Sequence, residues 1–120
     1  MSKYAKGANF EREIVKDLRS RGYWCIRAAG SHGKVDVLAI KLHQKEIFPR
    51  ILMIQAKTDG RISLAEWNEV YHTAKALCCV PILACCIPIL ARKDGSTIEY
   101  REMLAEAKPR EKRGYDPYEP

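Results

Sequence analysis

Two short stretches of this chain, Val35–Ile40 and Ile51–Ala56, are apolar at nearly every position. Alternation marks a strand with one wet face, whereas a strand apolar throughout is covered on both. The sheet that holds these runs therefore needs helices on each side, and the chain supplies two. In Gly7–Arg21, Phe10, Ile14 and Leu18 recur every four residues with Val15 beside them, and Gly22 can close the helix. Ser63 with Glu66 three residues on forms a capping box. It opens a helix from Leu64 to about Leu77, striped by Leu64, Trp67, Val70, Tyr71, Ala74 and Leu77. Tyr23–Ala28, Pro81–Ile87 and Ser96–Tyr100 read as further strands, Gly30–Lys34 as a tight loop and Lys41–Arg50 as a hairpin-like connection. Glu102–Ala107 reads as a helical turn. The order α-β-β-β-α-β-β predicts an α/β fold, a mixed central β-sheet flanked by helices. At 120 residues there is room for one domain, residues 1–107. Residues 108–120, with three prolines and seven charged residues, read as a charged tail.

The charge is lopsided. Up to Arg61 there are thirteen basic and six acidic residues, a surplus of seven; beyond it the balance is −1. Positive charge gathered in one half fits a polyanionic partner. No apolar run approaches the roughly 18 residues of a membrane span, and Lys3, Lys6, Glu11 and Arg12 interrupt any apolar leader. The expected location is the cytoplasm. Five cysteines, an odd number, fit reduced thiols. The adjacent pairs Cys78-Cys79 and Cys85-Cys86 lack zinc-ligand spacing and read as packed core thiols.

Chemistry concentrates in Gly30-Ser31-His32-Gly33-Lys34-Val35-Asp36 and in Gln55-Ala56-Lys57. Asp36 is the one charged side chain in its apolar run, where a carboxylate is costly without a cation or several donors. Gln55 and Lys57, two apart on a strand, share a face. If the two strands pair antiparallel, Asp36 meets Gln55 and Lys57 at one sheet edge. That cluster suits phosphodiester cleavage with Mg²⁺, Mn²⁺ substituting: Asp36 as main ligand, with the Gln55 amide oxygen and a main-chain carbonyl beside it. Lys57 would orient or help deprotonate the water and neutralise charge on the phosphate. The plainer alternative is a buried Asp36–Lys57 ion pair. Glu11, beside the Phe10–Ile14–Leu18 stripe, can face the sheet edge as a second carboxylate, holding the metal through water or completing a second site. Glu13 points to water.

Lys6-Gly7-Ala8…Glu11-Arg12-Glu13, then Arg27-x-Ala29-Gly30-Ser31…Val35-Asp36, then Gln55-Ala56-Lys57 resemble the archaeal-type Holliday junction resolvases over roughly Lys6 to Ile87. The resemblance implies a PD-(D/E)xK (restriction-endonuclease-like) nuclease fold and a Mg²⁺-dependent homodimer that cuts two opposing strands of a four-way junction, in DNA recombination and repair. It implies that Glu11, Asp36, Gln55 and Lys57 are catalytic, that Ser31 sits in a loop near the scissile phosphate, and that Arg12 contacts the DNA backbone. The family usually has Glu where this chain has Gln55. The exchange removes a negative charge and should weaken divalent binding, leaving a working but metal-hungry site.

Lys3, Lys6, Arg12, Lys34, Arg61, Arg27 and His32 flank the cluster and are the candidates for holding phosphates. No base-reading element is visible, which favours DNA shape over sequence; branched DNA is the partner that the resemblance implies. Symmetric cutting needs two sites at fixed separation, hence a two-fold dimer. Trp67, Tyr71 and Val80–Leu90 either supply its interface or fill the monomer core. The rival functions are a less selective nuclease of the same fold, an RNA endonuclease, or a non-catalytic junction binder. No motif calls for a small organic cofactor or a membrane.

Overall fold

A computed structural model describes residues 3–28, 35–42, 48–88 and 96–108, with side chains for 7–28, 35–42, 48–86 and 97–108. Helix α1 spans Lys3–Ser20 and is followed by strands β1 (Trp24–Arg27), β2 (Val37–Lys41) and β3 (Arg50–Ala56). Helix α2 (Leu64–Ala76), β4 (Val80–Pro88) and β5 (Ser96–Glu102) complete the chain order. The strands form one five-stranded sheet in sequence order, β1-β2-β3-β4-β5. Only β3 and β4 are parallel, and α2 is the crossover between them, as parallel neighbours require.

Each helix covers one face. Phe10, Ile14, Val15 and Leu18 of α1 pack on Cys25, Val37, Ala39, Leu52, Ile54, Ile82 and Ala84. On the other face, Trp67 and Val70 of α2 pack on Leu83, Met103 and Ala107. Both faces of β3 are thus covered, the reason Ile51–Ile54 are apolar without a break. Trp67 is only 2% exposed, and its indole N–H donates to the Ala105 carbonyl at 2.9 Å. Of the two readings of this residue, the monomer core is the one the structure holds.

Three local expectations are corrected. Asp36 does not belong to a strand: β2 begins at Val37, and Asp36 lies in a bend at its threshold. The helical turn at Glu102–Ala107 is absent. Instead Glu102 ends β5, and the following backbone is satisfied by α2, where Asn68 accepts from the Ala107 N–H at 2.7 Å and donates to its carbonyl at 3.2 Å. Of the cysteines expected in the core, Cys85 is buried but Cys78 is exposed. Cys78 closes α2 with φ 57°, where the helix stop demands a left-handed residue. The Gly30–Lys34 loop, the interior of the Lys41–Arg50 connection and the tail from 109 onward lie outside the described residues.

Candidate active site

The antiparallel pairing of β2 and β3 runs in the register Val37↔Ile54. One step further, the Asp36 N–H donates to the Ile54 carbonyl at 2.9 Å, which sets Asp36 across from Gln55. The Asp36 carboxylate turns back on the strand end, and its Oδ2 accepts the Ala56 N–H at 2.8 Å. Among the described residues its Oδ1 accepts no hydrogen bond. Burial pushes the Asp36 carboxyl above its ordinary value, and the neighbouring Glu66 adds to this; the Ala56 N–H and Lys57 offset it in part. The expected meeting of Asp36, Gln55 and Lys57 at one sheet edge is what the structure has. The alternative of an Asp36–Lys57 ion pair is not: Lys57 Nζ contacts Glu66 Oε2 at 2.7 Å.

Glu66 is a site neighbour that sequence reasoning took only for a helix cap. It does cap α2, its N–H donating to Ser63 Oγ at 3.1 Å. Its carboxylate, however, receives the Ser63 hydroxyl at Oε1, 3.3 Å, and the Gln55 amide nitrogen at Oε2, 3.5 Å, besides Lys57. The signal was the short connection: α2 starts seven residues after Lys57, so its first turn folds back on the end of β3. Gly60 makes that turn with φ 75° and lies against Cys85, where an added Cβ would be 3.7 Å from the thiol sulfur.

From the opposite face, Glu11 of α1 pairs with Arg27 at the end of β1, 3.2 Å apart, both side chains about one-fifth exposed. Burial raises the Glu11 carboxyl above its usual value and the Asp36 charge raises it further, with Arg27 and Arg12 opposing. Glu13 is exposed, as expected. Arg27 also lines a depression of about 330 Å³ together with Arg12, Val15, Lys16 and Arg19. Arg12, Lys16 and Arg19 follow one another at helical spacing on α1, a stripe of three cations of which the sequence reading singled out only the first. Arg19 also donates to the Cys25 carbonyl at 3.1 Å, tying the helix to β1. Arg61 is exposed on the connection that follows Lys57. Ser31, His32, Lys34 and the side chains of Lys3 and Lys6 lie outside the described residues.

Among the described residues no three carboxylate, imidazole or thiol side chains converge as a metal cage. The donors present are Asp36 Oδ1, an amide oxygen and main-chain carbonyls, all oxygen, with one carboxylate at the centre. That set fits Mg²⁺, which keeps several waters and borrows ligands from substrate phosphate.

A mixed sheet between two helices, with a carboxylate at a strand threshold, an amide near the end of the next strand and a lysine just past it, defines the PD-(D/E)xK nuclease fold. The sequence profile of the archaeal Holliday junction resolvase (Hjc) family matches residues 2–66, and the chain belongs to that family. Its function is accordingly that of a Holliday junction resolvase, a nuclease acting on four-way DNA. The fold is similar to that of Hjc from Archaeoglobus fulgidus, a Holliday junction resolvase from an archaeal hyperthermophile. The TM-score is 0.59 and the identity 22%, over 81% of this chain and 72% of that one.

Proposed function

We propose that this chain resolves junctions as a Mg²⁺-dependent homodimer, hydrolysing one phosphodiester in each of two opposing strands, with Mn²⁺ able to replace Mg²⁺. The observation that carries the reading is the Asp36 carboxylate: half-buried, raised by desolvation, one oxygen fixed by Ala56 and the other accepting no hydrogen bond among the described residues. A carboxylate in that position is stabilised by a cation and costs folding energy without one. Asp36 and the Gln55 amide oxygen would hold the ion, with Glu11 reaching it through water. Bound there, the metal supplies an acidified water and a polarised phosphoryl oxygen. Lys57 orients the attacking water and offsets negative charge as it builds on the phosphate. Arg12, Lys16, Arg19 and Arg27 give the backbone a cationic track running away from the site, with Lys6, His32, Lys34 and Arg61 as further phosphate contacts. The family resemblance gives Ser31 a role at the scissile phosphate. Contacts of this kind read the shape of branched DNA, not its bases.

The α2 face offers the dimer contact. Helix α2 lies over β3 and β4, and on the same face Trp24 and Ile26 of β1 are 61% and 45% exposed. Leu38 and Ile40, their partners on β2, are half-buried beside them. A contiguous apolar surface of this sort marks a protein interface.

The test is cleavage of a labelled four-way junction against linear duplex, single strands and RNA, with Mg²⁺, Mn²⁺ or EDTA. Paired symmetric cuts in the junction alone, abolished by EDTA and by Asp36→Asn, are expected. Trp24→Lys should leave single, unpaired nicks. Equal cutting of every substrate would sink junction selectivity, and tight binding without cleavage in either metal would sink the catalytic reading.

A further inference from the structure

Gln55 poses a problem that the structure itself answers. A site built on one carboxylate and one lysine has lost the charge that a glutamate at position 55 would supply, yet a carboxylate stands there all the same. It comes from α2. Glu66 Oε2 lies 2.7 Å from Lys57 Nζ and 3.5 Å from Gln55 Nε2. An ionised carboxylate only accepts hydrogen bonds, so the end of the Gln55 amide that faces it must be the NH₂ group. The amide oxygen is thereby turned away from Glu66 and left as a ligand oxygen. Without Glu66, nothing among the described contacts would choose between the two ends of the amide, and an NH₂ group presented to a cation repels it. Glu66 also gathers the Lys57 ammonium, so that it does not lie on Asp36 and neutralise the ligand. Its own charge sits in the first turn of α2, where the helix dipole favours it.

We propose that Glu66 supplies, from α2, the negative charge that Gln55 withholds. It acts as a positioning residue that orients the Gln55 amide and holds Lys57, without touching the metal. The inference rests on the reading of Asp36, Gln55 and Lys57 as the cleavage site. It predicts that the carboxylate can be exchanged between positions 55 and 66, since either location leaves one acid beside Lys57.

The test is Mn²⁺ binding to the full chain without DNA, followed by the paramagnetic resonance of the free ion. Glu66→Gln should weaken Mn²⁺ by about 10-fold or more, the usual effect of losing a partner that orients a ligand. Gln is accepted at this position of a capping box, so the helix and its melting temperature should hold. Glu13→Gln, which removes an equal charge from the solvent face of α1, should leave the affinity as it was. The double variant Gln55→Glu/Glu66→Gln should return to within about 3-fold of the parent, and junction cleavage at limiting Mn²⁺ should recover with it. Unchanged affinity in Glu66→Gln would overturn the inference. So would a loss that the double variant does not restore, because Glu66 would then act for some other reason. Asp36→Asn separates the two levels. If it loses Mn²⁺ while Glu66→Gln does not, the site stands and only the role of Glu66 falls; if it binds like the parent, the site reading falls too.

Discussion

The two faces of the sheet meet at Asp36 and bring it different neighbours. On the α1 face the helix covers its strands from β1 inward, and the carboxylate–cation pair is Glu11 with Arg27, both largely withdrawn from solvent. On the α2 face the helix lies over β3 and β4, and the pair is Glu66 with Lys57, more open at 42% and 29% exposure. The α1 pair adjoins a cationic depression, whereas the α2 pair adjoins the Gln55 amide across from Asp36. On the proposed function the contrast is a division of labour: one face would hold the DNA backbone and the other would handle the reacting phosphate.

The largest effect should come from opposing the two cations. Lys57→Ala should lower junction cleavage by about 10³-fold while leaving junction binding within a few-fold, as removal of a group that stabilises transition-state charge does. Arg27→Ala should weaken junction binding and raise its salt sensitivity, by about one phosphate contact. At saturating DNA and metal, its cleavage should fall by only about 10-fold. Single-turnover rates and salt-dependent binding measure both. An equal loss of rate in the two variants would erase the distinction between the faces.

Protons should sharpen it next. Asp36 and Glu11 are both harder to ionise in the folded chain than in the unfolded one, chiefly through burial. Between the ordinary carboxylate range and their raised values the folded state binds more protons, so the metal-free protein loses stability as pH rises through that window. Metal affinity moves the other way, rising across the same window as the ligands ionise. Asp36→Asn keeps an acceptor for the Ala56 N–H and removes the charge. It should therefore stabilise the metal-free protein at neutral pH by about 1 kcal/mol, a few degrees in melting temperature, while abolishing cleavage. A melting temperature that falls instead would mean that the carboxylate is held by the fold rather than merely tolerated by it. Arg27→Ala should push the acid limb of metal binding to higher pH, because Arg27 holds Glu11 down.

The sequence carried much of this arrangement and missed parts for identifiable reasons. Val35–Ile40 and Ile51–Ala56 announced a sheet covered on both sides, and the spacing Asp36, Gln55, Lys57 placed three side chains at one edge, because strand periodicity is local and strong. Glu66 was legible only as a cap. Its second contact depends on how the connection from Lys57 to Ser63 folds back, which no period encodes. The stripe of Trp67, Val70 and Ala74 showed which side of α2 faces inward. It could not show that residues 103–107, thirty and more positions away, would cover Trp67. The same packing cancelled the expected turn there, since Asn68 offers the backbone of Ala107 better partners than a lone helical turn would.

The smallest expected effect compares how the two helices end. Both close with the same pair of backbone bonds. After α1, the Tyr23 N–H donates to Leu18 and that of Gly22 to Arg19; after α2, Cys79 donates to Ala74 and Cys78 to Lys75. The geometry demands a left-handed residue at the turn, which Gly22 meets at φ 92° without a side chain and Cys78 meets at φ 57° with one. An L residue there costs about 1 kcal/mol or slightly more. Gly22→Ala should thus destabilise the protein by about 1 kcal/mol, and the new methyl would stand 3.4 Å from Lys41 Cε, a flexible side chain that can yield. Cys78→Gly should stabilise it by about 0.5 kcal/mol, relief of strain being partly offset by the greater freedom of glycine in the unfolded chain. Denaturant melts of the two single variants measure both. If Cys78→Gly is destabilising, then the exposed thiol contributes a contact on the α2 face worth more than its backbone strain.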